Sequence, residues 1–120
     1  MPRLKRPDPL SLAIGQRIRA LREQAGLTIE KLAYESELGS KGHLSSLERG
    51  LVRPTVHTLQ SLADRLGVAL LDLVCFPEQD ARQALVDHTR ELGPGSIRRL
   101  LRDVSPAKSA EHMHRRKKRK

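Results

Sequence analysis

The sequence has almost no aromatic residues and a single cysteine. Tyr34 and Phe76 are its only tyrosine and phenylalanine, and it has no tryptophan. A core built from the remaining aliphatic side chains favours packed helices and argues against a β-sandwich. Cys75 cannot form an internal disulfide, which is typical of a reducing compartment. We interpret it as a small core residue.

Long apolar runs and catalytic constellations are also missing. No run approaches the roughly 20 residues that span a bilayer, and the basic start MPRLKRPDP lacks the apolar region of a secretory signal. We therefore expect a cytoplasmic protein. We find no nucleophile–base set, no carboxylate pair with a pocket and no phosphate-cradling glycine loop, so we expect neither an enzyme nor a cofactor. His112 and His114 are interpreted as solvated residues rather than metal ligands.

Positive charge is abundant and unevenly distributed. Lys and Arg number 23 against 14 Asp and Glu, which gives a net charge of +9. Residues 107–120 hold seven of these cations and one Glu, a net of +6, so the rest of the chain is only mildly basic at +3. We therefore expect a polyanionic partner, with nucleic acid as the first candidate and a membrane surface as the second.

The helix signals divide the chain into four parts. Residues 1–7 are expected to be a flexible basic arm, and residues 8–76 a compact all-α bundle of five short helices. Residues 77–105 form a helical extension, with an inward apolar face at Ile97, Leu100, Leu101 and Val104 and a break at Gly93-Pro94-Gly95. Residues 106–120 are expected to be a disordered basic tail. The bundle helices are marked by N-cap residues at Asp8, Thr28, Ser40 and Thr55.

The stretch Leu27–Gly50 predicts two short helices joined by a tight turn. A helix can read DNA only if its first residues enter the major groove while a second helix fixes its angle. The third helix, expected over residues 41–49, carries small or polar side chains on its outer face: Lys41, Gly42, His43, Ser45 and Ser46. This unit is suited to docking on duplex DNA.

At these residues the chain resembles the Cro/C1-type, lambda-repressor-like (XRE) helix-turn-helix family. The resemblance covers about residues 10–76, through IGQRIRALREQAGLT (14–28), KLA (31–33), LSSLERG (44–50), RPTVHTLQSLADRLGV (53–68) and LLDLV (70–74). It implies a five-helix bundle and sequence-specific DNA binding, usually as a dimer, in transcriptional regulation. The chain departs from the family in two places. Ile29 stands where Gln is common, and the turn SELGS is one residue longer than the commonest form.

The expected DNA contacts lie at the start of the third helix and around it. Lys41 and His43 are candidates for base edges or phosphates, as are the cap residues Thr28 and Ser40. We favour Ser46 over Ser45, whose side chain is expected to point toward the second helix. Gly42 indicates either close approach to the DNA backbone or a tolerated weak point. Arg53 is expected to contact phosphate, and Arg17, on the outer side of the first helix, is a weaker phosphate candidate.

The resemblance also implies a structural ion pair between Arg22 and Glu48, joining the first and third helices. We expect binding to a pseudo-palindromic site as a homodimer, with half-sites about 34 Å apart. Candidate dimer surfaces are Leu51 and Val52, the fifth helix and residues 78–104. The terminal RRKKRK resembles a nuclear localisation patch, but a domain of bacterial or phage type, expected to associate with the nucleoid, favours nonspecific phosphate binding. The alternative function is an antitoxin-like or adaptor protein that grips a protein partner through residues 78–104.

Overall fold

A computed structural model describes residues 2–105 of the chain. Within that range the regular secondary structure is entirely helical, with seven helices and no strand. In chain order they are α1 (Pro9–Gln24), α2 (Ile29–Glu35), α3 (Lys41–Glu48), α4 (Val56–Leu66), α5 (Leu70–Leu73), α6 (Ala81–Thr89) and α7 (Pro94–Asp103). The predicted all-α class is confirmed. The basic tail expected at residues 106–120 lies outside the described residues.

Four helices begin where the sequence places their caps. In each case the cap side chain accepts a hydrogen bond from the backbone N–H three residues later, which satisfies a group that has no partner inside the helix. The N–H to oxygen distance is 3.0 Å at Asp8 and 3.1 Å at Thr28, Ser40 and Thr55. These starts are fixed locally, so they can be read from the sequence alone.

The core is aliphatic and lies between the first five helices. Ile18, Leu32, Leu44, Leu62 and Leu73, one from each helix, have no exposed surface. Phe76 closes the cluster just after α5. Leu10 and Val56 share the helical spacing of the buried residues, yet they are 62% and 65% exposed because each lies in the first turn of its helix.

A glycine lets α1 and α3 approach at backbone distance. A Cβ built on Gly15 would lie 2.4 Å from the carbonyl oxygen of Leu47 and 2.5 Å from that of Glu48. Real Cβ atoms do not come so close to backbone, so no side chain fits there. The contact fixes the separation of the two helices at the end of α3.

The N-terminal segment is held against the loop that follows α3. Leu4 N–H donates to the carbonyl of Leu51 at 2.7 Å, and Asp8 N–H donates to that of Gly50 at 3.1 Å. Leu4 is also partly buried. The backbone of the loop thus offers hydrogen-bond acceptors to the segment that the sequence predicts to be a flexible arm.

Residues after Phe76 continue the first compact unit, which ends at His88. Gln83 joins the start of α6 to the end of the bundle. Its side-chain oxygen accepts from Phe76 N–H at 2.8 Å, and its carbonyl accepts from Cys75 Sγ at 3.2 Å. Polar contacts therefore attach α6 to the helices before it.

The second unit, described over residues 89–105, contains α7. Gly93 is its N-cap and Pro94 its first residue, so the Gly93-Pro94-Gly95 run, expected to be a break, begins the helix. The apolar face expected to point inward is exposed instead, from 37% at Ile97 to 64% at Leu101. The helical spacing therefore predicts the apolar face of α7 but not whether that face is buried.

Candidate nucleic-acid interface

The turn between α2 and α3 accommodates its additional residue through unusual backbone angles. Glu37 and Gly39 have φ angles of 66° and 77°, in the left-handed region that few non-glycine residues adopt. Ser36, before them, is buried, and its carbonyl accepts a hydrogen bond from the hydroxyl of Ser61 in α4. The start of the turn thus stays anchored to the bundle while its end leads into α3.

Arg22 and Glu48 form the ion pair that the family resemblance implies. Arg22 Nε lies 2.8 Å from Glu48 Oε2, and Nη2 lies 3.2 Å from Oε1. Arg22 Nη1 also donates to the carbonyl of Leu27 at 2.9 Å, just before α2. The hydrogen bond to Glu48 raises the pKa of Arg22. One guanidinium therefore ties α1 to α3 and to the start of α2.

The first turn of α3 presents polar groups to solvent. Ser40, Lys41 and Gly42 are exposed and His43 is half-buried. No atom lies within 4 Å of a Cβ built on Gly42, so this position faces open space. Lys41 Nζ forms an ion pair with Glu30 Oε1 at 2.9 Å, across the groove between α2 and α3. This turn, together with exposed Thr28 on the same groove, is the candidate DNA-facing edge of the protein.

The two serines in the middle of α3 differ in their exposure to solvent. Ser46 is 8% exposed and packs inside the bundle, so it is not available to a DNA surface. Ser45 is half-buried and lines an open hollow with Thr28 and Ile29. Preferring Ser46 over Ser45 was therefore wrong, because the rotation of α3 is set by the burial of Leu44 and Leu47 and by the Glu48 ion pair.

Arg17 is a structural residue and not a surface cation. It is 8% exposed, although the sequence places it on the outer side of α1. Its Nε donates to the carbonyl of Asp72 at 2.8 Å, and its Nη2 donates to Asp87 Oδ1 at 2.7 Å. The expected phosphate contact is wrong because α5 and α6 cover this side of α1. That covering could not be foreseen from the α1 sequence.

The loop before α4 carries Arg53 on its surface. Arg53 is exposed, and its Nη2 lies 3.6 Å from Asp8 Oδ1. Hydrogen bonds from Ser11, more than the charge of Arg53, lower the pKa of Asp8. An exposed pair at this distance contributes little to stability, so Arg53 is free to exchange its partner for a phosphate. Val52, in contrast, is 2% exposed and is not available as a dimer surface.

Two further arginines flank the hollow beside α3. Arg19 of α1 and Arg49, the residue after α3, line it together with Thr28, Ile29 and Ser45. Arg49 is exposed and its Nε donates to the carbonyl of Ser45 at 3.4 Å. Ile29 packs partly against the core, which explains an apolar residue where the family commonly has Gln. Sequence reasoning missed Arg49, although its place directly after Glu48 was a usable signal.

Cys75 is a core residue, as the sequence indicates. It is 2% exposed, and burial raises the pKa of its thiol. Within residues 2–105, no three His, Cys, Asp or Glu side chains come together as a metal site. No helix in the same range is long and apolar enough to cross a membrane.

A family model described as a helix-turn-helix domain matches residues 13–74, more than half of the chain. The chain belongs to this helix-turn-helix family. The Cro/C1-type resemblance carried by Leu44–Gly50 and the flanking motifs is thereby confirmed. The match ends within the first compact unit, before α6 begins.

Three curated relatives show which proteins this helix-turn-helix chain resembles. It is 41% identical over 59 residues to the HTH-type transcriptional regulator DdrOP3 of Deinococcus deserti, covering 49% of this chain and 45% of the relative. It is 46% identical over 61 residues to the HTH-type transcriptional regulator y4dJ of Sinorhizobium fredii, covering 51% of this chain and 78% of the relative. It is 35% identical over 63 residues to the immunity repressor protein of Bacillus phage phi105, covering 52% of this chain and 43% of the relative. The chain thus spans less than half the length of two of these relatives. No solved structure matches it.

Proposed function

We propose that this protein is a transcriptional regulator that binds a pseudo-palindromic DNA operator as a homodimer. The observation that carries the proposal is the first turn of α3, which is polar and exposed at Ser40, Lys41 and Gly42. The Arg22–Glu48 pair holds the other end of the same helix on the bundle. The names of the relatives, two transcriptional regulators and an immunity repressor, support the same class of function.

We assign the reading of DNA bases to the side of α3 that would face the major groove. Lys41 can donate to guanine O6 and N7, and His43 and Ser45 can hydrogen-bond neighbouring base edges. Gly42 has open space around it, which supports close approach of the DNA backbone. Ser45 takes the role expected for Ser46 because it lies at the surface, beside Thr28.

Phosphate binding is assigned to the arginines around this edge. Arg53 lies after α3 on an exposed loop, and Arg19 and Arg49 flank the hollow beside Ser45. Such contacts position the protein on the duplex without carrying sequence information. Each neutralised phosphate adds about 0.9 to the slope of log affinity against log salt concentration.

The dimer surface is assigned to α5. Leu71 in α5 and Val74 directly after it are 58% and 42% exposed, which is unusual for apolar residues beside a core. Helix-turn-helix dimers place their two reading helices on half-sites about 34 Å apart, and we propose this face as the contact between the two copies. Changing Leu71 to Asp should give a monomer in analytical ultracentrifugation and weaken operator binding. A Leu71→Asp protein that remains dimeric would rule out this surface.

The experiment is the selection of bound duplexes from random DNA at a stated salt concentration. The wild type should select a two-fold symmetric sequence. The triple variant Lys41→Ala, His43→Ala and Ser45→Ala should lose preference at individual base pairs, by about 1–3 kcal/mol each. Arg53→Gln is the matched control, since it should weaken binding to all sequences alike. An unchanged motif and affinity in the triple variant would contradict the assignment.

A protein-interaction role through α7 is the second candidate. Ile97, Leu100 and Leu101 form an apolar face that is 37–64% exposed, whereas Arg98, Arg99 and Arg102 lie on the opposite side of the helix. A paired change of Leu100 and Leu101 to Glu should remove a protein partner and leave DNA affinity unchanged. If the same variant keeps every partner of the wild type in co-purification, α7 does not serve this role.

A further inference from the structure

The candidate DNA-facing edge contains an acidic side chain that the proposed function has not used. Glu30 lies in the first turn of α2, beside the groove lined by Thr28, Ser40 and Lys41. Its Oε1 lies 2.9 Å from Lys41 Nζ, and both side chains are 61% exposed. A carboxylate that approaches DNA is repelled by phosphates, so a place on this edge is unfavourable unless the DNA offers it a donor.

The Glu30–Lys41 pair presents an acceptor and a donor side by side. The hydrogen bond from Lys41 lowers the pKa of Glu30, which keeps this carboxylate ionised and therefore a pure acceptor. Exposed ion pairs of this kind contribute at most about 1 kcal/mol to stability. Both groups can therefore turn toward a new partner at small cost, and can do so together because they are already neighbours.

The major-groove edge of a base pair carries the matching groups. In a G·C pair, guanine O6 accepts and cytosine N4 donates, and these atoms are hydrogen-bonded to each other at about 2.9 Å. The separation of Lys41 Nζ from Glu30 Oε1 is also 2.9 Å. A donor facing O6 and an acceptor facing N4 thus fit one base pair with little rearrangement.

Orientation and identity of the base pair both follow from this pattern. A T·A pair also offers an acceptor and a donor in the same order, thymine O4 and adenine N6. Guanine adds N7 beside O6, which a lysine ammonium with three N–H groups can also reach, whereas thymine places its methyl group there. The reversed C·G and A·T pairs put a donor opposite Lys41 and an acceptor opposite Glu30. The order of preference is therefore G·C, then T·A, then the reversed pairs.

We propose that Glu30 and Lys41 together read one G·C base pair in each half-site, Lys41 on guanine O6 and N7 and Glu30 on cytosine N4. This inference rests on the proposed DNA-binding function and deepens it. It assigns α2 a direct part in specificity. Lys41 alone could donate to guanine, to thymine O4 or to adenine N7, so the carboxylate is what excludes the reversed pairs.

The test is selection from random duplexes with the full chain, as wild type, Lys41→Ala, Glu30→Ala and Glu23→Ala. Glu23 is the matched control, because it forms an exposed ion pair with Arg19 at 3.0 Å within α1. The wild type should select G·C at one position per half-site. Glu30→Ala should lose roughly 5- to 150-fold discrimination against the reversed pairs at that position, the range of one good base contact. Lys41→Ala should relax the same position, and Glu23→Ala should leave every base preference in place.

Two results would overturn the inference while leaving the proposed function intact. One is a Glu30→Ala protein that keeps the wild-type base preferences and changes only its overall affinity, since Glu30 would then act by repulsion alone. The other is relaxation of two different base pairs by Glu30→Ala and Lys41→Ala. A wild-type protein that selects no sequence would overturn the proposed function as well. Circular dichroism of each variant checks its fold, which should not change because the replaced side chains are exposed.

Discussion

Replacing Glu48 with alanine tests how firmly α3 is held to α1. The Glu48 side chain is 6% exposed and that of Arg22 is 12% exposed, with nitrogen–oxygen distances of 2.8 and 3.2 Å. Deleting one partner of a buried pair costs about 3–5 kcal/mol, because the other charge stays desolvated. Arg22 keeps its bond to the Leu27 carbonyl and some access to water, so we expect the lower end, about 3 kcal/mol.

The measurement is urea denaturation followed by circular dichroism, supported by a thermal melt. For a unit of this size, about 3 kcal/mol corresponds to a fall in Tm of roughly 12 to 24 °C. Glu23→Ala is the matched control on the same protein, because its pair with Arg19 is exposed on both sides, at 64% and 57%. That control should lose no more than about 0.5 kcal/mol.

A double change separates the ion pair from simple loss of packing. Arg22→Met with Glu48→Leu removes both charges and keeps apolar volume, so it should recover most of the stability lost in Glu48→Ala. At temperatures where Glu48→Ala is still folded, its base preference should match the wild type. If Glu48→Ala loses no more stability than Glu23→Ala, the pair does not hold α3 and the reasoning is refuted.

Three further predictions concern the bundle. Gly15→Ala should lower the free energy of unfolding by about 1–3 kcal/mol in denaturation, since its Cβ would meet the α3 carbonyls. The control Gly42→Ala should instead raise the free energy of unfolding by up to about 1 kcal/mol, because open space surrounds that position. Arg17→Met should speed amide exchange in α6, since Asp87 loses its bond to Arg17, and unchanged exchange would show that this bond does not hold α6. The lowered folded-state pKa of Asp8 means that its cap stabilises α1 at pH values above the ordinary Asp pKa. That contribution should disappear as the pH falls through the folded-state pKa, and Asp8→Ala should remove this part of the acid dependence of stability in a pH titration.

Helix starts were predictable because their causes are local. A cap side chain and the N–H it satisfies are three residues apart, so Thr28, Ser40 and Thr55 predicted their hydrogen bonds without any tertiary information. The ion pair of Arg22 with Glu48 was also predictable, but only through the family resemblance. Nothing in the spacing of two residues on different helices shows that they meet.

The errors in the site came from surfaces that other helices cover. Arg17 is an outer residue of α1 until α5 and α6 are placed against it, and those contacts involve residues 55 and 70 positions away in the chain. Ser45 and Ser46 are about 100° apart around α3, so which of them is buried depends on which side of the helix the rest of the bundle covers. Gly15 carried no local signal, because its role appears only when the carbonyls of α3 lie beside it.

The contacts of α3 with α1 also determine which of the proposed DNA contacts depend on the longer turn between α2 and α3. Glu48 is bonded to Arg22, and the carbonyls of Leu47 and Glu48 lie against Gly15, so the end of α3 is fixed on α1. The turn at residues 36–40 joins α3 at its other end, so a change in this turn leaves the contacts between the end of α3 and α1 in place. The turn sets instead the position of α2 relative to the first turn of α3, which is the distance between Glu30 and Lys41. An additional residue in this turn should consequently alter which base pair the two side chains read together, and leave the contacts of Ser45 and Arg53 unchanged.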